Sequence, residues 1–139
     1  LQHISAEDIQ GILVRRMIPA GKEVILGINR DPAFGHVVMF GLGGIYVEAF
    51  KDVTFRIVPI RQTEAHAMID GLRASSVLRG LRGELPSDTD AVADSLQRLS
   101  QLAADFPRIA ELDINPLIVH EAGAGAHVAD VRIRLAALK

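Results

Sequence analysis

The chain reads as an α+β domain: a mixed, mainly antiparallel sheet with helices on one face. Three observations predict this. Short apolar runs of strand length come first, helical spacing fills the middle, and two alternating runs close the chain. No strand–helix–strand alternation is present, which argues against a doubly wound parallel sheet. No repeat, low-complexity segment or linker divides the 139 residues, a length sufficient for one domain with a real core.

Residues 1–10, with Ser5, Glu7 and Asp8, form a polar entry segment. The apolar runs 11–18 and 22–30 flank Pro19-Ala20-Gly21-Lys22 and predict an antiparallel hairpin. Asp31-Pro32-Ala33-Phe34-Gly35 is a turn, and 36–40, rich in Val and Met, is a third, buried strand that Gly41-Leu42-Gly43-Gly44 breaks. Alternation over 53–58 predicts a fourth strand. Ala65, Met68, Ile69 and Leu72 recur three and four apart, predicting a helix over 62–72, with a short helical piece at 75–81. After a loop at 83–88, Ser87 is the expected N-cap, with Asp90 three residues on. Val92, Leu96, Leu99, Ala103 and Phe106 then form one apolar stripe down to Pro107. Strands are expected at 109–120 and 127–135.

Composition excludes several classes of function. Net charge is −2 and no basic run occurs, which argues against a phosphate-facing nucleic-acid surface. Without cysteine there are no disulfides, thiol nucleophiles or zinc–thiolate sites. No apolar run approaches the roughly 18 residues of a membrane span, and no signal-peptide pattern opens the chain. A cytoplasmic protein is expected. Leu1 stands where a native start needs Met, so a fragment of a longer polypeptide is expected as well, the alternative being a chain that lost only its first residues.

The closing hairpin carries most of the chemistry. Asp113 and Asn115 alternate with Leu112 and Ile114, with Ile118 assigned to the same apolar face; Asp130, Arg132 and Arg134 alternate with Val131, Ile133 and Leu135. Like faces must meet, so odd positions of the first strand pair with even positions of the second. A turn at 123–124 satisfies this, placing Asp130 near Leu117 and diagonal to Asn115. Asp113, Asn115, Asp130 and Arg132 then share one face, an oxygen-rich arrangement suited to a hard cation. A solvated face with compensating charges explains the same pattern. Pro116 tips the balance toward function, because proline inside a strand marks an edge or a bulge.

Three other features need an explanation. Gly41-Leu42-Gly43-Gly44 either faces a phosphate with its amides or makes a tight turn; it matches neither the dinucleotide fingerprint nor the phosphate-loop motif. Glu23 and Glu48 stand in apolar surroundings, where a carboxylate needs a partner or a role. Arg56, between Phe55 and Ile57, either projects toward a phosphate or pairs with Glu48 or Asp52, and pairing is favoured. The five histidines show no ligand spacing and read as structural or solvated.

Several ordered motifs together resemble a known family. They are Glu23-Val24-Ile25-Leu26-Gly27, Arg30-Asp31-Pro32-Ala33-Phe34-Gly35, Phe40-Gly41-Leu42-Gly43-Gly44-Ile45, Glu48 with Lys51-Asp52-Val53 and Phe55-Arg56, Glu111-Leu112-Asp113-Ile114-Asn115-Pro116-Leu117, and Ala129-Asp130. They look like the ATP-grasp domain of ADP-forming acyl-CoA synthetases, most like acetate–CoA ligase (ADP-forming) β-subunits. The same domain also occurs in bacterial protein lysine acetyltransferases. The resemblance implies an ATP-grasp C-terminal lobe over 11–139, opening on a hinge strand, Ile12 to Met17, whose Arg16 and Met17 border adenine by their backbone. It places Glu23, Gly43, Gly44 and Arg56 on the nucleotide side and makes Asn115 and Asp130 the magnesium ligands. Asp113 matches a carboxylate that approaches the phosphohistidine loop of a partner domain.

The implied cofactors are Mg2+ and ATP or ADP. The implied partners are a CoA-binding and phosphohistidine domain or subunit and the N-terminal ATP-grasp lobe; no nucleic acid or membrane is implied. The implied reaction joins an organic acid to CoA with ATP, forming acyl-CoA, ADP and phosphate through acyl phosphate and phosphohistidine. This piece alone is expected to be inactive. The same motifs also admit a non-catalytic, regulatory ATP-grasp-like region of a lysine acetyltransferase, or a module for subunit docking. Half of a two-lobed domain exposes apolar surface, so self-association of the chain is expected; sedimentation as a monodisperse monomer would contradict it.

Overall fold

The computed structural model describes residues 11–44, 51–81 and 83–137. The expected polar entry at 1–10, and Glu48, lie outside the described residues. Among the described residues the order is β1 (Lys22–Asp31), β2 (Gly35–Leu42), β3 (Val53–Ile57), α1 (Gln62–Asp70), a 3-10 turn (Ser75–Val77), α2 (Thr89–Asp105), β4 (Ile109–Val119), β5 (Ala126–Val128) and β6 (Val131–Leu135). The sheet has six strands in the order β3-β2-β1-β4-β5, with β6 also on β4. Every ladder is antiparallel. The α+β expectation holds. No helix among the described residues is long and apolar enough to cross a membrane.

Alternation on the central strands builds the core. Val24, Leu26 and Ile28 of β1, Val38, Phe40 and Leu42 of β2, and Leu112, Leu117 and Val119 of β4 are buried against the helices. The helices answer with Ala65, Met68 and Ile69 from α1 and Val92, Leu96, Leu99 and Ala103 from α2. Both helices therefore lie on one face, and the opposite face of the sheet stays open. Local polar contacts place the elements. Asp31 Oδ1 accepts from the amides of Ala33 (2.7 Å) and Phe34 (3.0 Å), closing the β1–β2 turn. The buried Asp52 carboxylate accepts from the amides of Arg73 and Ala74, tying the start of β3 to the exit of α1.

Several expectations are corrected. Residues 11–18 form no strand, and Ile12, Leu13, Val14 and Met17 are exposed. Their expected hairpin with 22–30 fails because β2 and β4 occupy both edges of β1, leaving no ladder free. The N-cap of α2 is Asp88 rather than Ser87; Asp88 Oδ1 accepts from the Ala91 amide at 3.0 Å. Ser87 instead makes a bridge to Glu121. Phe106 leaves the stripe and is exposed. The piece at 75–81 shrinks to its 3-10 turn, and the last strand splits into β5 and β6.

Asp88 does more than cap. Its Oδ2 accepts from the Gly125 amide at 2.9 Å, and its own amide donates to the His120 carbonyl at 2.9 Å. The Ala91 and Gly125 amides hold its carboxyl below the usual carboxylate range, against a smaller opposing effect of burial. A lowered folded-state pKa contributes stability above the unfolded pKa, which is lost as pH falls through the folded one. We expect Asp88→Ala to cost about 1 kcal/mol at neutral pH. In urea titrations the gap to wild type should close in acid; a pH-independent gap would refute the electrostatic account.

Candidate functional site

The open face is organised by a bulge in the centre of the sheet. Along β1–β4, Leu26 faces Ile114 but Val24 faces Leu117, so Ile25 alone opposes Asn115 and Pro116. The extra residue lets Leu112 and, after the bulge, Leu117 and Val119 all point to the helices. The expected apolar face 112, 114, 118 is therefore corrected to 112, 114, 117, 119, with Ile118 on the other side.

On its other edge β4 shifts once between Ile109 and Glu111 and then keeps one register from Glu111 to Val119. Glu111 pairs with Arg134, Asp113 with Arg132, Ile114 with Val131, and Leu117 with Val128. The Asn115 amide donates to the Asp130 carbonyl at 3.2 Å, and the Ala129 amide to the Pro116 carbonyl at 3.0 Å. Asp130 thus stands directly opposite Asn115. The expected diagonal placement near Leu117 was two residues out, because the loop turns earlier than 123–124, with the His120 amide donating to the Gly125 carbonyl. The odd-to-even pairing itself holds, and Asp113, Asn115, Asp130 and Arg132 share the open face as expected.

Three polar rungs result: Asn115 with Asp130, Asp113 with Arg132, and Glu111 with Arg134. Arg134 Nη2 reaches Glu111 Oε2 at 3.0 Å, and Arg132 Nε lies 3.7 Å from Asp130 Oδ2. Asp113 is half-buried. Burial pushes its carboxyl above the usual range, Glu111 and Asp130 add to this, and Arg132 opposes it.

A cleft lies on each side of the Asn115–Asp130 rung. One, of about 460 Å³, runs over Asp113, Arg132 and Arg134, with Gly27, Met39 and Phe55 among its apolar walls. A Cβ on Gly27 would come within 3.2 Å of Met39 Cε, so glycine there keeps the floor low beside Asp113. The other cleft, of about 580 Å³, is lined by Arg16, Met17, Glu23, Pro116 and Ala129. Arg15 Nη1 donates to the Ala129 carbonyl at 3.3 Å, fixing the 11–18 segment beside it.

The structure therefore brings Arg16, Met17 and Glu23 together in the cleft beside Pro116 and Ala129, the chain neighbours of Asn115 and Asp130, and leaves Asp113 in the other cleft. Gly43 adjoins this group for a packing reason: its amide donates to the Glu23 carbonyl at 2.7 Å, and a Cβ would lie 2.9 Å from Glu23 Cβ. Gly44, with φ of 62°, meets nothing within 4 Å and takes a conformation that favours glycine. Arg56 does not join. It pairs with Val38, whose side chain faces the helices, so it stands on the opposite face and donates to the Phe55 carbonyl. It does not pair with Asp52, whose oxygens take backbone amides. His36 bonds the Ile109 carbonyl and His120 bonds His127, in keeping with structural roles.

Sequence reasoning missed the cleft walls Met39 and Phe55. The alternation of buried Val38 and Phe40 was the available signal, since it sends Met39 to the other face. Among the described residues no three His, Cys, Asp or Glu side chains cluster as a metal site. The chain therefore offers a two-oxygen set, an amide and a carboxylate on one rung. That suits a hard cation that keeps waters and gains further oxygens from its ligand.

Residues 2–135 match the model of a family described as ATP-grasp domain. An ADP-forming acetate–CoA ligase I of Archaeoglobus fulgidus is 54% identical over 115 residues, 83% of this chain and 17% of that protein. The β subunit of ADP-forming acetate–CoA ligase II of Pyrococcus furiosus is 49% identical, over 92% of this chain and 55% of the subunit. An ADP-forming 4-hydroxybutyrate–CoA ligase of Nitrosopumilus maritimus is 48% identical, over 92% and 18%. The chain thus spans less than two thirds of each of these relatives. Among solved structures, the apo dinucleotide-forming acetyl-coenzyme A synthetase 1 of Candidatus Korarchaeum cryptofilum superposes with a TM-score of 0.87 at 44% identity, covering 94% of this chain and 61% of that one. The same enzyme with coenzyme A and Mg-AMPPCP, its phosphohistidine segment pointing towards the nucleotide binding site, gives 0.81 at 44% identity, over 86% and 55%.

A raised folded-state pKa means that Asp113 favours folding when protonated, a contribution lost as pH rises through that pKa. Asp113→Asn should therefore raise the thermal midpoint at neutral pH, and the gain should vanish below the carboxylate range. A lower midpoint at neutral pH would show that the Arg132 attraction dominates instead.

Proposed function

The chain belongs to the ATP-grasp domain family, and from that premise we propose that its open sheet face is the nucleotide half-site of an ADP-forming acyl-CoA synthetase. The observation that carries this reading is the order of features along one face. The cleft of Arg16, Met17 and Glu23 comes first, the Asn115–Asp130 rung next, and the Asp113–Arg132 rung last. A nucleotide laid along that face sets its base in the first cleft, its phosphates over the first rung and its terminal phosphate beside Asp113.

In this reading the backbone of Arg16 and Met17 borders the base, and Asn115 and Asp130 hold magnesium. When bound, magnesium would offset charge on the phosphate oxygens, the main requirement of phosphoryl transfer. Asp113, its carboxyl raised by burial, faces the group that exchanges the phosphoryl, proposed to be a phosphohistidine on a partner domain or subunit. A half-buried carboxyl of this kind orients an imidazole by hydrogen bonding. The whole protein would then convert organic acid, CoA and ATP to acyl-CoA, ADP and phosphate. It would work in the cytoplasm as an oligomer with its CoA-binding and N-terminal ATP-grasp parts.

The test uses the full-length parent with ATP, magnesium, CoA and a panel of short organic acids. Acyl-CoA and ADP are expected in equal amounts, and Asp130→Ala should lower that turnover by about 100-fold or more. Undiminished turnover in the variant would refute the metal assignment. Lysine acetylation from acetyl-CoA without ADP formation would instead support a regulatory domain.

A further inference from the structure

The three rungs hold two arginines against three carboxylates, and the two arginines are engaged differently. Arg134 is committed: Nε and Nη2 lie 3.1 and 3.0 Å from the same Glu111 oxygen. Arg132 is not. It faces Asp113 across the ladder and lies near Asp130, two residues back in the chain and just before β6 begins. Its Nε stays 3.7 Å from Asp130 Oδ2, beyond hydrogen-bond length, and its side chain is 84% exposed. It is one cation placed between two carboxylates, and one of those carboxylates stands opposite Asn115.

We propose that Arg132 is an exchangeable counter-ion. It neutralises Asp130 while the site is free, yields that carboxylate when magnesium–nucleotide loads, and passes its guanidinium to the phosphate oxygens. The inference rests on the nucleotide-site reading above and assigns a residue that reading leaves without a role. An exposed ion pair of this length is worth little, so a divalent cation displaces it readily. The displaced arginine, close to a dication, then needs a new anion, and the planar guanidinium fits a phosphate with two parallel hydrogen bonds. With phosphate present both cations find partners; without it they compete for one carboxylate. Metal and nucleotide affinities are thereby coupled, each raising the other by the same factor.

The coupling is measurable without turnover. Mn2+ replaces Mg2+ as the probe, and free Mn2+ is counted by its electron paramagnetic resonance signal in the full-length protein, with and without ADP. Arg132→Gln should bind Mn2+ about threefold tighter than wild type without ADP. ADP should then improve that affinity by a smaller factor than in wild type. Arg132→Lys keeps the charge and should return Mn2+ affinity without ADP to the wild-type value. In turnover, Arg132→Gln should lose about tenfold in kcat. Unchanged or weaker Mn2+ binding by Arg132→Gln without ADP, or undiminished ADP coupling, overturns the exchange and leaves the nucleotide site standing. Mn2+ binding that survives Asp130→Asn overturns the metal assignment on which the exchange rests.

Discussion

The open face depends on the single extra residue that β4 inserts opposite Ile25. A strand whose side chains alternate strictly would keep one parity along its length. Here parity changes at Asn115–Pro116, so Leu112 before the bulge and Leu117 and Val119 after it reach the helices while Asn115 stays outside. The partner strand makes the same change, and so β5 and β6 are separate elements with Ala129 and Asp130 between them. The bulge is thus matched on one flank of β4 and absorbed by one residue of β1 on the other. Proline is tolerated in this central strand because it sits at the bulge.

From that arrangement follows a concentration of charge that a folding domain has no reason to seek. Asp113 is raised above its ordinary range by burial and by two neighbouring carboxylates, and one loosely held arginine opposes them. Charge set against stability in this way is characteristic of sites whose work lies in binding or chemistry. The remainder of the open face is quieter: glycine at 27 and the Met39 and Phe55 side chains give the cleft a low, apolar floor. Electrostatic effects are stronger over such a floor than in bulk water.

Much of this was legible in the sequence. Alternation over 36–40 and 53–58 and the three-and-four spacing of both helices reported local structure directly, because burial imposes those periods. The polar face of the closing hairpin was legible for the same reason. What failed depended on partners distant in sequence. Residues 11–18 have strand-like composition, but whether they pair depends on whether β1 has a free edge, which β4, nearly a hundred residues later, decides. The register of the closing hairpin was right in parity and two residues out in position, because parity follows from composition whereas position follows from where the loop turns. The face on which Arg56 stands was not legible, because one residue's parity on an edge strand is set by its neighbour Val38 and not by its own flanks.

Hairpin loops usually tolerate insertions, and a two-residue insertion conserves every side chain's face. In this hairpin the Gly125 amide is bound to Asp88, the N-cap of α2, so the loop is clamped to the start of the helix. With the turn held by that clamp, two residues added after Gly125 would slide one strand along the other by a full rung and bring Asp130 opposite Asp113, in place of Asn115. The composition and hydrophobic pattern would be untouched, yet two like charges would face each other and the mixed amide–carboxylate pair would be gone. For descendants of this chain, loop length is consequently a heritable constraint as strict as the identity of the ligating side chains, and one that comparison of substitutions alone would overlook.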